Sequence, residues 1–119
     1  MINSRQKGKR GERAWRDVLI SYGYHARRGQ QYSGDKNSPD VICDELAAYF
    51  HPEVKTAEQL NLYKALEQAY TDCPEGKLRY TAHKKKGKDW LVTMTVEDWM
   101  KMLQVYYKDM CQKHFGEIR

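Results

Sequence analysis

Two acids and a lysine stand out for the chemistry their spacing allows. Asp40 directly follows Pro39, and Glu53, Val54 and Lys55 come 13 residues later at the end of an apolar run. Side chains alternate along an extended strand, so Glu53 and Lys55 project from one face while Val54 turns to the other. If the chain reverses between the two segments, Glu53 returns to the neighbourhood of Asp40. Two converging carboxylates repel each other, and an oxygen-rich pair of this kind suits a hard divalent cation such as Mg²⁺. Beside a phosphate, such an ion polarises the phosphorus centre and lowers the pKa of water, while the lysine can orient that water or offset developing negative charge. The plainer reading is that Asp40 caps a turn and that Glu53 and Lys55 form a solvated ion pair.

The elements around these residues must bring them together. Residues 40–43 read as a strand, Asp44 and Glu45 as a turn, and residues 46–55 as the returning strand of a β-hairpin. Pro52 in that strand requires a bulge or a sheet position that needs no amide donor. Trp15, Val18, Leu19 and Tyr22 recur at helical spacing, which predicts a first helix over about residues 9–22, ended by Gly23. Glu12 falls on the same face as Trp15 and Leu19. Packed over the hairpin, that helix would add Glu12 to the carboxylate cluster; otherwise Glu12 simply complements the helix dipole.

Residues 24–28 fit a short strand, and residues 29–39 carry the turn-forming residues of a long loop that contains Gln30, Gln31 and Ser33. Leu62, Ala65, Leu66 and Ala69 predict a second helix over about residues 57–71. Residues 77–83 and 89–95 are two further strands, joined by a basic turn. Thr95 reads as the N-cap of a third helix, with Glu97 and Asp98 in its first turn and Val96, Trp99, Met100, Leu103 and Tyr107 on one face. The order α-β-β-β-α-β-β-α predicts an α/β fold with a mixed central sheet flanked by helices.

A chain of 119 residues suffices for one core, so a single domain over residues 1–119 is expected, with residues 1–8 as a basic arm and 110–119 as a tail. No apolar run approaches the ~18 residues of a membrane span, and the first residues are polar, so a soluble, cytoplasmic protein is expected. Cys43, Cys73 and Cys111 form no Cys-x-x-Cys pair, which argues against a zinc ribbon or a disulfide framework. The net charge of +5 favours a polyanionic partner. Three basic groups, Lys7, Lys9 and Arg10, then Arg27 and Arg28, then Lys84, Lys85 and Lys86, suit phosphate contacts, although each could equally be a solvated charge run. The tyrosines and Trp15, Trp90 and Trp99 read as packing residues before base-stacking ones.

In order and spacing these segments resemble the PD-(D/E)xK nuclease superfamily with its restriction-endonuclease-like core, particularly archaeal-type Holliday junction resolvases and their small phage-encoded relatives. The resemblance is carried by Lys7-Gly8-Lys9-Arg10-Gly11-Glu12-Arg13, Arg28-Gly29-Gln30-Gln31-Tyr32-Ser33-Gly34, Ser38-Pro39-Asp40-Val41 and His51-Pro52-Glu53-Val54-Lys55. It continues more loosely through Gln68-Ala69 and from Ala82 to Val92, and it fades beyond Met102. It implies metal ligation by Asp40 and Glu53, a catalytic lysine at Lys55, and an accessory metal or water role for Glu12. It also implies Mg²⁺ or Mn²⁺ dependence, DNA as partner and, frequently, a homodimer presenting two sites to branched DNA.

Gln31, Ser33, His51 and Gln68 are accessory candidates: the first two in the loop, His51 by its strand parity with Glu53, and Gln68 as the helix-2 polar residue that supports the lysine in the family. The His-Pro before Glu53 matches the phage relatives most closely, which points to a mobile-element setting. The expected function is a metal-dependent endodeoxyribonuclease acting on branched DNA. A non-catalytic nucleic-acid-binding module, and a nuclease for linear or single-stranded DNA, remain the alternatives.

Overall fold

In the computed structural model, which describes residues 4–29, 39–73 and 76–115, the elements run α1 (Ser4–Ser21), β1 (Ala26–Arg28), β2 (Val41–Cys43), β3 (Phe50–Thr56), α2 (Leu62–Asp72), β4 (Leu78–Lys84), β5 (Leu91–Thr93) and α3 (Val96–Phe115). This is the α/β order expected from periodicity. Local signals place the helix ends. At the end of α1 the Gly23 amide donates to Ile20 O at 2.9 Å and the Tyr24 amide to Leu19 O at 3.2 Å, with Gly23 at φ 95°, the paired bonds of a Schellman stop. Asn61 Oδ1 accepts from the Lys64 amide at 3.1 Å and opens α2. Thr95 Oγ1 accepts from the Asp98 amide at 3.2 Å and opens α3, as its sequence predicts.

The expected β2–β3 hairpin does not form as a ladder. β2 pairs antiparallel with β1, with Ala26 opposite Cys43 and Arg28 opposite Val41. β3 instead pairs in parallel with β4, with Glu53 in register with Thr81, and β4 pairs antiparallel with β5. The mixed sheet is therefore β3-β4-β5, with β1-β2 beside it as a two-stranded ribbon. Residues 44–49 close a turn in which Cys43 O accepts from the amides of Leu46 and Ala47 at 3.0 and 2.7 Å, so the returning strand starts at Phe50 and not at residue 46.

Pro52 explains why the ladder stops between β2 and β3. Leu78 N–H donates to Tyr49 O, which aims the odd-numbered residues of β3 at β4. By the two-residue period, the amides of positions 52 and 54 then point toward β2. Pro52 has no N–H to give on that edge. It occupies the donor-free position that its sequence context requires, and no bulge is needed.

The core gathers Trp15 and Leu19 from α1, Val41 and Cys43 from β2, Val54 from β3, and Tyr80 and Ala82 from β4. Trp15 Nε1 donates to the Tyr80 hydroxyl at 3.1 Å, so the polar atom of each large ring is satisfied inside the core. Trp90 packs on Trp15 with ring centroids 5.2 Å apart. α2 buries Ala65 and Ala69, small residues that let it lie close on β3 and β4.

A second cluster centres on the buried Asp98. It accepts from the Arg79 amide at 3.0 Å and from the Tyr70 hydroxyl at 3.4 Å, with the Arg79 guanidinium 4.2 Å above the Tyr70 ring. These contacts pin the start of α3 to α2 and β4. The rest of α3 departs from expectation: Trp99, Leu103 and Tyr107, read as core residues, are exposed, because beyond the pinned first turn no other described element packs along the helix.

Candidate active site

Asp40 stands just ahead of β2, and its position is fixed on two sides. Its carbonyl accepts from the Gly29 amide at 2.9 Å, which extends the β1–β2 ribbon by one step. A Cβ on Gly29 would sit 1.9 Å from Pro39 O, so only glycine allows this approach. The Asp40 side chain reaches the neighbouring strand, where Oδ2 accepts from the Val54 amide at 2.8 Å. One carboxylate oxygen thus takes the place of a missing ladder bond between β2 and β3. Asp40 and Glu53 meet across this junction, and a hydrogen bond from Glu53 helps Asp40 keep its charge.

Both acids are buried. Burial is the main cause that raises the Asp40 pKa, opposed by the Val54 amide and by Lys55. Glu53 is pushed up to about 7, by burial first and then by the negative charge of Asp40, with Lys55 offsetting only part of this. Lys55 Nζ lies 3.4 Å from Glu53 Oε1 and keeps a partly exposed ammonium on the same face, as strand parity predicts. The result is a desolvated pair of carboxylates beside a lysine that still reaches solvent.

Glu12 is brought in by helix packing. Gly11, one residue before it, is buried against β3, where an added Cβ would lie 2.8 Å from Thr56 Oγ1. Glu12 Oε2 accepts from Arg28 Nε at 2.8 Å, so its carboxylate is already paired. Its pKa is nonetheless raised, by burial first and then by Asp40, with Arg28 pulling the other way. Arg28 is therefore a partner of the acidic cluster. Arg27 is likewise committed, in an ion pair with Asp44.

His51 shares the parity of Glu53 and Lys55 and is fully buried, with no hydrogen-bond partner for either ring nitrogen among the described residues. Burial lowers its pKa, with Lys77 and Arg79 adding to the effect and Asp72 opposing it. The Gln68 amide donates to Asp72 Oδ2 at 2.6 Å, one helical turn away. Asp72, which the sequence reading did not single out, contributes negative potential at both Asp40 and Glu53. The only signal for it was its i, i+4 spacing from Gln68. Gln31 and Ser33 lie outside the described residues, as does the side chain of Lys7.

The basic residues do converge in part. Arg10 and Ala14 of α1, Thr56 just after Lys55, Lys84, Lys85, Lys86 and Trp90 line one groove of about 450 Å³. Arg10 and the three lysines outnumber the acid Glu58, which lines the same groove and accepts from the Lys86 amide at 3.1 Å. Lys9 lies on α1 one residue before Arg10.

The donor set bears on a metal. No three His, Cys, Asp or Glu side chains are grouped as a metal cage among the described residues. Two carboxylates with raised pKa values suit an ion that binds through one or two acids and otherwise keeps water and phosphate oxygens, as Mg²⁺ does. Asp40 and Glu53 fit that description, and Glu12 is held one step back by Arg28.

Among solved structures, the chain is similar to Archaeoglobus fulgidus Hjc, a Holliday junction resolvase from an archaeal hyperthermophile. The TM-score is 0.55 at 27% sequence identity, over 74% of this chain and 72% of that one. No family profile matches the chain. No curated protein matches it.

Proposed function

We propose that this protein is a divalent-metal-dependent endodeoxyribonuclease that cuts branched DNA, in the manner of a Holliday junction resolvase. The observation that carries the reading is the desolvated Asp40–Glu53 pair with Lys55 beside it. Acids facing a polyanion hinder plain binding, and they make sense where a cation bridges them to phosphate. The similarity to the archaeal resolvase supports the same class of substrate.

In this reading Asp40 and Glu53 would hold Mg²⁺ or Mn²⁺, and the bound ion would supply a polarised phosphate and a more acidic water. The chain's own groups do the rest. The Val54 amide orients Asp40 and opposes the rise that burial causes in its pKa. A cation held beside Glu53 would offset the repulsion from Asp40 and favour the ionised carboxylate. Lys55, close to Glu53 and reaching solvent, orients the attacking water or offsets charge on the phosphate. Arg28 pairs with Glu12 and opposes the rise that burial causes in its pKa. The groove of Arg10, Lys84, Lys85 and Lys86 holds the flanking DNA backbone.

Purified protein incubated with four-way junction, nicked, linear duplex and single-stranded DNA, in Mg²⁺, Mn²⁺ and EDTA, tests this directly. Metal-dependent cleavage that favours the junction is expected. Cleavage of linear or single-stranded DNA alone would keep the site and change the substrate. Salt-sensitive binding with no cleavage in either metal would overturn the enzyme.

A further inference from the structure

The two faces of the β3–β4 ladder differ in kind. Val54, Tyr80 and Ala82 point into the apolar core with Trp15 and Leu19 of α1. By the two-residue period His51, Glu53 and Thr81 point the other way, to the face that α2 covers through the small Ala65 and Ala69. That face is polar, and it is closed to solvent.

Three polar atoms on it have no protein partner. His51 is 1% exposed and Thr81 0%, and neither ring nitrogen of His51 nor Oγ1 of Thr81 makes a hydrogen bond among the described residues. Arg79 Nε and Asp98 Oδ1 share that state, but they belong to two groups that face each other as an ion pair at 3.7 Å. Buried polar groups in folded proteins are almost always paired, because an unpaired one forfeits the bonds it made with water. His51 and Thr81 sit on adjacent strands and on one face, which calls for a partner common to both.

Glu53 lies between them. It is in register with Thr81 across the ladder, where strands run about 4.8 Å apart, and it is two residues along β3 from His51, about 6.6 Å. A water about 2.8 Å from each of two partners bridges roughly 5.6 Å, and two to four polar partners hold it in a protein interior. The groups at hand suit it. Burial favours the neutral imidazole, which presents one donor and one acceptor; a hydroxyl presents both, and a carboxylate accepts. Gln68 of α2 does not fill the role, since its amide is engaged with Asp72 at 2.6 Å.

We propose that His51 and Thr81 hold a buried water beneath α2 that hydrogen-bonds to Glu53, and that the two are positioning residues for that carboxylate. This rests on Glu53 being a metal ligand, as read above. A partner behind a ligating acid fixes where its lone pairs point, and losing one typically lowers metal affinity by about 10–100-fold.

Thermal melts of the full chain in EDTA, together with calorimetric titration of Mg²⁺ alone, test it. Thr81→Val and His51→Leu are each expected to lower Tm, and the double variant to lose no more than the larger single loss, because both residues serve one water. Thr81→Val should also weaken Mg²⁺ binding by about tenfold or more. Thr81→Ser, which keeps the hydroxyl, should bind Mg²⁺ as the parent does. Thr81→Val melting above the parent would overturn the inference, because replacing an unpaired buried hydroxyl by a methyl group stabilises. So would Tm losses that add in full, or parent-like Mg²⁺ affinity in Thr81→Val. A parent that binds no Mg²⁺ would end the metal reading, and the direction of the melts would still uphold or overturn the bound water. Should His51→Leu misfold, the two Thr81 variants decide alone.

Discussion

The backbone amide of Val54 donates a 2.8 Å hydrogen bond to Oδ2 of Asp40. This bond joins the β1–β2 ribbon to the edge of β3 where Pro52 can offer no donor, and it spends one oxygen of a buried acid on architecture. Glu53 also hydrogen-bonds to this carboxylate. Position and chemistry at Asp40 can therefore be separated by mutation. Asn retains an oxygen acceptor for the Val54 amide and loses the charge, so Asp40→Asn should fold with near-parent stability while metal-dependent cleavage is lost. Asp40→Ala also strands a buried amide, at a cost of about 1–3 kcal/mol. Urea denaturation alongside a cleavage assay distinguishes the two; equal stability losses would show that the bond to Val54 contributes nothing.

Glu53 gives the apoprotein an unusual pH dependence. It holds a proton up to about pH 7 in the folded state, against 4.5 for an ordinary glutamate. Over that interval the folded chain binds more protons than the unfolded one, so this group's contribution makes stability fall as pH rises from about 4.5 to about 7 and stay low above it. At about 1.4 kcal/mol per pH unit, the loss is on the order of 3 kcal/mol. In EDTA, Glu53→Gln should exceed the parent in stability near pH 8 by roughly that amount, with the gap closing toward pH 4. Added Mg²⁺ should stabilise the parent alone. Parallel stability curves for the two proteins would contradict this.

Gly29 should be irreplaceable for a geometric reason. An alanine methyl there would meet Pro39 O at 1.9 Å, a backbone atom that no rotamer change can move. Gly29→Ala is expected to lose on the order of 3 kcal/mol and to displace Asp40, with cleavage falling in parallel. Gly8→Ala on the open face of α1, where nothing lies within 4 Å, should instead gain about 0.5–1 kcal/mol. Thermal melts of the two variants make the comparison.

The groove lysines should act through charge and not through shape. Replacing Lys85 and Lys86 with alanine should weaken DNA binding evenly across sequences and lower the slope of log affinity against log salt by about 2, near one unit per lost phosphate contact. Binding titrations at several salt concentrations check this. An unchanged slope would place the DNA elsewhere.

Particular residues show how much of this was legible in the sequence. The helical spacing of Trp15, Val18 and Leu19, the stop at Gly23, the Thr95 cap and the strand parity of Glu53 and Lys55 are short-range patterns, set by 3.6- and 2-residue periods and by the hydrogen-bonding needs of helix ends. They gave the α-β-β-β-α-β-β-α order directly. Pro52 also announced a strand edge without a donor, although not which strand lay across from it.

Strand partners, and the destination of each buried charge, were settled only in three dimensions. A hairpin between β2 and β3 was the local solution, but β3 gains a full ladder by pairing in parallel with β4 across α2, a connection no nearest-neighbour pattern encodes. Asp98 looked like an ordinary first-turn acid and proved to be the buried fastening of α3 to Arg79 and Tyr70. Arg28 pairs with Glu12, a contact between α1 and β1 that no local spacing names. The sequence determined which residues could carry charge or line a face, because those properties are local. The tertiary structure decided which charges lose their water and meet, because burial and Coulomb energy depend on neighbours far away in the chain.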